Sequence, residues 1–185
     1  MKVLGISGSL RAGSHNTKLL RAAAEFLPSG WELEVWEGLK AVPPYDEDDD
    51  GDLAPAAVAR LRAAIAGADA LLIATPEYNS SIPGQPKNAL DWASRPHATN
   101  VLRNKPVAVV GASTGSFGAV WSQAEVRKVL GATGARVVEV ELAVGHAHER
   151  FDDRGRLTDD ALRGELQEAV DLLVREATAS VAAAA

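Results

Sequence analysis

A chain of 185 residues is long enough for one domain with a substantial core, and its net charge of −6 argues against a broad electrostatic grip on nucleic acid or an anionic membrane. It contains no cysteine, which excludes disulfides, thiolate catalysis and Cys-ligated metals. No apolar run reaches membrane-spanning length and no signal-peptide cleavage pattern is present, so we expect a cytoplasmic protein.

Five segments have the composition of β-strands. In chain order they are 2–7, 31–37, 68–76, 106–113 and 135–142. The first, third and fourth are near-continuous apolar runs, as expected for parallel strands covered on both faces of a sheet. The second and fifth alternate between apolar and polar residues, which favours positions nearer a sheet edge.

Helical patterns lie between and after these strands, with apolar residues three and four positions apart. The predicted helices are 15–27, 54–68, 86–95, 122–134 and 158–177. Thr158 is the expected N-cap of the last helix because two acids follow it. Residues 179–185, which end in four alanines, are expected to form a disordered tail.

Regular alternation of strand and helix is typical of one α/β domain with a parallel sheet. We therefore predict a single domain over residues 1–178, a flavodoxin-like doubly wound sandwich with a five-stranded parallel sheet in the order 2-1-3-4-5. Ligands in such sheets bind beyond the carboxyl ends of the strands, at the switch point between strands 1 and 3. The loops placed there are 8–15, 76–85 and 113–119, all rich in Gly, Ser, Thr, Asn or Pro.

The first of these loops fits neither of two common phosphate-binding motifs. Gly8 and Gly13 have the spacing of a P-loop, but Ser14 and His15 stand where that motif needs Lys and Ser or Thr. The dinucleotide motif G-x-G-x-x-G also fails, because a glycine is missing from the tight turn. Nucleoside triphosphate hydrolysis is therefore not expected.

What remains is a loop rich in neutral donors between a strand and a helix, where backbone amides and the helix dipole favour an anion. The hydroxyl, amide and guanidinium donors are Ser7, Ser9, Arg11, Ser14, Asn16 and Thr17. This set suits a phosphate monoester held without a metal. The alternative is a surface turn with an N-cap at Ser14 or Asn16. His15 lies beside this anion site, either as an indirect donor or at the rim of the pocket, and is counted among the cofactor-binding candidates.

Two long motifs carry a resemblance to a known family. Residues 8–16, GSLRAGSHN, resemble the signature G-S-x-R-x-x-S-x-N of the NADPH-dependent FMN reductases, the flavodoxin-like quinone, azo and chromate reductases. Residues 75–92 resemble the second signature of that family, T-P-E-Y-N-x-S-x-P-G-x-x-K-N-A-x-D-W, almost throughout. The resemblance extends in order over about residues 2–142 and implies a flavodoxin-like FMN-binding domain.

The resemblance also implies roles for these residues. Those that would hold the FMN phosphate are Ser9, Arg11, Ser14, Asn16 and Thr17, and those that would line the ribityl chain and the isoalloxazine edge are Pro76, Glu77, Tyr78 and Asn79. In the third loop, Ser113, Thr114 and Gly115 are expected to contact the flavin pyrimidine. This loop departs from the family pattern G-G-x-R, since Gly118, Ala119 and Trp121 occupy those places.

The implied activity is hydride transfer from NADPH or NADH through bound FMN to a quinone, azo, flavin or similar small acceptor. The cofactor would carry this chemistry, so no catalytic side chain is predicted. The resemblance further implies a homodimer, with a tetramer as the alternative, and neither nucleic acid nor membrane is an expected partner.

Two other functions fit parts of the sequence. A flavodoxin-type electron carrier would also hold FMN, although Arg11 and the segment 76–79 favour the reductase. Residues 111–115, GASTG, match the nucleophile elbow G-x-S-x-G of serine hydrolases, with Ser113 as nucleophile. That function is disfavoured because no acid on a loop precedes His146 in the required order.

Two segments resemble metal sites in part. Residues 46–52 begin like a calcium loop, but Ala57 occupies the place of the bidentate Glu, which favours a solvated acidic loop. His146 and His148 are two imidazoles without a third ligand nearby in sequence. We therefore predict no metal site.

Overall fold

The computed structural model of the protein describes residues 1–51 and 54–184. Its centre is a parallel sheet whose strands are β1 Lys2–Ser7, β2 Glu32–Trp36, β3 Ala70–Thr75, β4 Pro106–Ala112, β5 Arg136–Val137 and β6 Ala143–Val144. The order is β2-β1-β3-β4-β5, and β6 pairs with the far end of β4. This order confirms the predicted flavodoxin-like fold, with one more short strand than expected.

Helices cover both faces of the sheet. They are α1 His15–Ala23, α2 Ala56–Ala66, α3 Gly84–Ala93, α4 Val120–Ala132 and α5 Asp160–Ala184. Side chains of α1 and α5 pack on one face, and those of α2, α3 and α4 pack on the other. Both faces of β3 and β4 are therefore covered, and every residue of these two strands is buried, as their apolar runs predicted.

The predicted fifth strand, 135–142, is wrong in its extent. Only its start pairs with β4, as β5, and pairing resumes at β6. The reason is Arg127, whose Nη2 lies 2.7 Å from the carbonyl oxygen of Val140 and 3.4 Å from that of Val109. The guanidinium donates to acceptors on both sides of the gap and so takes the place of the strand-to-strand ladder.

The start of the last helix also differs from the prediction. Thr158 is not its N-cap, because the Oγ of Thr158 turns away from the helix and lies 3.4 Å from the carbonyl oxygen of Arg150. The carboxylate of Asp159 accepts the N–H groups of Ala161 and Leu162 at 3.0 and 3.2 Å and caps the helix. An aspartate serves this position as well as a threonine does.

The predicted disordered tail is helical up to Ala184, while residue 185 lies outside the described residues. Alanine has the highest helix propensity, so an alanine-rich end extends a helix that is already formed. Contacts with the sheet anchor this extension, because Ala177 is buried and Arg136 donates to Ser180 Oγ at 2.7 Å.

The remaining predicted elements differ by a few residues at their ends. The first predicted helix, 15–27, is α-helical to Ala23 and then tightens into a 3₁₀ turn at Ala24–Phe26. The third and fourth helices begin two residues earlier than expected, at Gly84 and Val120. The carboxyl ends of β1, β3 and β4 lie side by side in the sheet, so the loops that follow these strands lie together.

Replacing Arg127 by Met tests the role of its guanidinium in the sheet. The substitution keeps an unbranched apolar stem but removes the donor to Val109, Val140 and Gln123. Buried carbonyls without a donor cost about 1–3 kcal/mol, so we expect a loss of this size in the free energy of unfolding. Urea denaturation measures it, with Lys128→Met, an exposed neighbour on α4, as the control. An Arg127→Met protein as stable as the control would contradict this account.

Candidate active site

The loops after β1, β3 and β4 together line a cavity of about 120 Å³ at the carboxyl edge of the sheet. Ten of the thirteen predicted cofactor-binding residues contribute to its wall: Ser9, Arg11, Ser14, His15, Asn16, Pro76, Glu77, Tyr78, Ser113 and Thr114. Ala112, which the sequence did not single out, also lines it. Three predicted residues, Thr17, Asn79 and Gly115, do not contribute to the part of this wall that the structure describes.

Ser14 and Asn16 give the first loop its shape. Ser14 is the N-cap of α1, and its Oγ accepts the N–H of Thr17 at 3.1 Å. The amide of Asn16 donates to the carbonyl of Ala112 at 2.9 Å and accepts the N–H of the same residue at 3.0 Å. Asn16 is 3% exposed. Its side chain therefore ties the first loop to the end of β4 and has one N–H left for a ligand.

His15 carries a polar atom that lacks a partner. Its Nδ1 is buried and has no hydrogen-bond partner among the described residues. The ring stacks on Phe151, with centroids 5.9 Å apart and the planes 19° apart. Burial, together with the nearby cations Lys18 and Arg11, lowers the pKa of His15. The imidazole is therefore neutral at neutral pH, and its orphaned nitrogen suits a ligand with a hydrogen-bonding group.

The second loop forms a tight turn. Tyr78 and Ser81 exchange two backbone hydrogen bonds, at 3.2 and 3.1 Å. The two residues between them, Asn79 and Ser80, have φ angles of 53° and 58°. Positive φ at both central positions is the mark of a type I′ turn, which Asn tolerates better than Ser does. The turn leaves Tyr78 54% exposed beside the cavity.

Two carboxylates fasten this turn to α4. Glu77 Oε2 accepts the N–H groups of Trp121 and Ser122 at 3.0 and 3.1 Å, and so caps a helix whose own N-cap position holds an alanine. In the opposite direction, Glu125 on α4 accepts from Ser81 Oγ at 2.5 Å and from the N–H of Ile82 at 3.3 Å. We call Glu77 and Glu125 the carboxylate clasp.

The clasp was not visible in the sequence. Glu77 was assigned to the flavin edge, but one of its carboxylate oxygens is already engaged by the helix. Glu125 was not assigned to the site at all, because its partners lie 44 and 43 residues away in the chain. The hydrogen bond from Ser81, assisted by that from Ile82, lowers the pKa of Glu125.

The hydrogen bonds of Ser113, in the third loop, are not those of a hydrolase nucleophile. Ser113 Oγ accepts the N–H of Gly115 at 3.2 Å, and the contact of His146 with this loop is a backbone N–H on the Gly115 carbonyl. No imidazole reaches Ser113 by hydrogen bond within the described ranges. The serine-hydrolase alternative is therefore not favoured.

Several exposed apolar side chains lie in or next to the three loops. The exposed large hydrophobic residues beside the three loops are Leu10, Tyr78, Phe117 and Trp121, and the last two have ring centroids 4.9 Å apart. Exposed apolar groups concentrated at one edge indicate a binding surface.

Neither a metal cluster nor a membrane span is found in the parts of the chain that the structure describes. No three His, Cys, Asp or Glu residues there are grouped to hold an ion. In the acidic loop, Asp50 pairs with Arg62 at 2.7 Å, and Asp52 lies outside the described residues. No described helix combines the length and the apolar character that crossing a membrane requires.

Residues 1–149 match the model of the NADPH-dependent FMN reductase family. The chain belongs to this family. It is 42% identical over 174 residues to an NAD(P)H-dependent FMN reductase of Pseudomonas aeruginosa, covering 94% of this chain and 93% of the relative. A 2-hydroxy-1,4-benzoquinone reductase of a Burkholderia species is 37% identical, with 92% and 93% covered.

A solved structure agrees with the family assignment. The flavoenzyme NAD(P)H:(acceptor) oxidoreductase FerB from Paracoccus denitrificans superimposes with a TM-score of 0.81 at 34% identity. The match covers 95% of this chain and 98% of FerB. The flavodoxin-like fold of the family is therefore shared over nearly the whole of both chains.

We expect the carboxylate clasp to make the free energy of unfolding depend on pH in the acid range. Because its hydrogen bonds hold the pKa of Glu125 below the ordinary 4.5, the stabilisation from this carboxylate is present above that pH and is lost as pH falls through the lowered pKa. We expect Glu125→Gln to lower the free energy of unfolding at pH 7 and to have progressively less effect below pH 4.5.

Urea titrations between pH 3 and pH 7, ~0.5 pH units apart, measure this difference. Glu168→Gln, at an exposed position of α5, is the matched control. A difference between wild type and Glu125→Gln that stays constant across this range would show that the charge of Glu125 does not support the turn.

Proposed function

We propose that the protein is an FMN-dependent oxidoreductase that takes reducing equivalents from NADPH or NADH and reduces a quinone or a similar small acceptor. The observation that carries this proposal is the meeting of three loops in one cavity whose wall combines hydroxyls, one guanidinium and an orphaned imidazole nitrogen. The names of the relatives from Pseudomonas aeruginosa and Burkholderia support the same reaction class.

The donor set fits FMN. A phosphate monoester needs several donors and one positive charge, and Ser9, Ser14 and Arg11 supply them beside the start of α1. The Nδ1 of His15, which lacks a partner among the described residues, adds a neutral group that can donate to or accept from the cofactor. When bound, FMN supplies two-electron chemistry between the pyridine nucleotide and the acceptor.

The remaining residues of the site fix the positions of the loops and line the cavity. Pro76 fixes the direction in which the chain leaves β3, and the clasp fixes the turn that follows. Tyr78 provides a flat amphipathic wall, and Ser113 and Thr114 add hydroxyls to the cavity. We propose no general acid or base, because the cofactor would carry the hydride transfer, and one carboxylate oxygen of Glu77 already accepts two N–H groups at the start of α4.

Absorption spectroscopy tests the cofactor, and anaerobic mixing tests the reaction. We expect the purified or FMN-reconstituted protein to show flavin bands and to lose them rapidly when NADPH is added. Addition of benzoquinone should then restore the bands. Stable bands after NADPH would indicate a flavodoxin-type carrier instead, and a protein that cannot be reconstituted with FMN would remove the proposal.

Arg11 is expected to hold the cofactor phosphate. Its side chain is exposed at the cavity, so Arg11→Ala should leave folding intact and raise the FMN dissociation constant about ten- to a hundredfold, the effect of one charged hydrogen bond. Fluorescence titration of the apoprotein with FMN measures this constant, and Arg60→Ala, at an exposed position on α2, is the control. An unchanged FMN affinity would mean that Arg11 is not a phosphate ligand.

We also propose a homodimer, with a tetramer as the alternative. The exposed pair Phe117 and Trp121, 64% and 45% exposed, supports an interface beside the site, whereas Trp92 is fully buried in the core of its own chain. Light scattering after size exclusion reads the oligomeric state directly, and a monomer at micromolar concentration would contradict this proposal. The cytoplasmic location stays a prediction.

A further inference from the structure

A second cavity, of about 250 Å³, lies on the other side of the first loop. It is bounded by the end of β2, by α1 and by the first loop, and it shares Ser9 and Arg11 with the cavity described above. The two cavities are thus neighbours separated by one loop. The family motifs assign nothing to the β2 side of this second cavity.

Its wall is positively charged although the chain as a whole is negative. Among the residues that the structure describes, Arg11, Arg21 and Lys40 line it together with one carboxylate, Glu37. None of the three cations makes an ion pair or a side-chain hydrogen bond with another residue that the structure describes. Three cations in one small space repel one another, so an anion that enters the cavity is stabilised.

The FMN phosphate does not account for all of this charge. If the proposed function holds, Arg11 is engaged by that phosphate, which carries about two negative charges at neutral pH. Arg21, on α1, and Lys40, after β2, line the second cavity and not the first. Two cations are therefore left for a second anionic group.

The cavity also has an apolar side. Trp36 lines it, with the indole lying so close to Gly38 that a Cβ there would collide with the ring. Leu39, 3% exposed, and Leu10 complete this side. An aromatic wall beside unpaired cations suits a planar base that carries a phosphate monoester.

Resting on the proposed function, we propose that this second cavity binds the adenosine 2′-phosphate of NADPH, with Arg21 and Lys40 as the phosphate ligands. NADPH and NADH differ by this one phosphate group, so the cavity determines the preference between them. Specificity of this kind comes from a contact that one substrate makes and the other lacks.

Steady-state kinetics of the FMN-loaded enzyme with benzoquinone test the proposal. We expect Lys40→Ala and Arg21→Ala each to raise the KM for NADPH about tenfold, with kcat nearly unchanged. The KM for NADH should change less than about twofold, since NADH lacks the phosphate. Lys40→Arg should keep most of the NADPH preference, and Arg175→Ala, exposed on α5, is the control. Because the ligands are exposed, the preference should also shrink at high salt.

Calorimetry with adenosine 2′,5′-bisphosphate reads the same site without turnover. Wild-type holoenzyme should bind this probe, and Lys40→Ala should bind it about tenfold more weakly. Equal losses with NADH and NADPH, or release of FMN from both variants, would overturn the assignment and give the cavity to the cofactor phosphate. If the wild type oxidises neither nucleotide, the proposed function fails, while the calorimetric result still decides whether the cavity binds the phosphate.

Discussion

The side-chain amide of Asn16 makes two hydrogen bonds with the backbone of Ala112, and the rest of the site depends on them. They join the start of α1 to the end of β4 across 96 residues of sequence. A buried amide that is paired at both ends holds one geometry, because any slip leaves two backbone groups and two side-chain atoms without partners. The first and third loops therefore meet at a fixed separation.

The carboxylate clasp does for the second loop what Asn16 does for the first. Glu77 reaches from the turn to the start of α4, and Glu125 reaches back from the helix to the turn. Since α4 also follows the third loop directly, one helix fixes the position of two loops. The cavity wall is thus held in place by side chains that form their hydrogen bonds with the protein itself. The hydroxyls, Arg11 and His15 remain available to a ligand.

The sequence predicted the strands and loops that can be recognised from a few consecutive residues. The apolar runs of β1, β3 and β4 and the loops after them could be identified because burial on both faces leaves a continuous pattern. What could not be predicted involves partners far apart in the chain. Arg127 interrupts the last strand by donating to the carbonyls of Val109 on β4 and Val140 opposite it, and Asn16 has the residue type of a phosphate ligand but pairs with the backbone of Ala112.

The second cavity could not be predicted for the same reason, because its lining residues are far apart in the chain. In the sequence, Arg21 and Lys40 look like ordinary surface charges, and only the fold brings them to the wall of one cavity. Trp36 is two and four residues from Glu34 and Glu32 and so shares their side of β2, which means that the sequence pattern does not indicate its role in lining a cavity. Charge that is left over after the cofactor has been assigned is a useful guide to a second ligand in such a case.

A crystal structure of the protein grown with FMN tests the proposed arrangement of the three loops around the cofactor. We expect the phosphate within hydrogen-bond distance of Ser9 and Arg11 at the start of α1, with the ring system between Tyr78 and the loop after β4. We also expect an unchanged Asn16–Ala112 pair. A phosphate bound instead by Arg21 and Lys40, or a flavin away from the three loops, would contradict it.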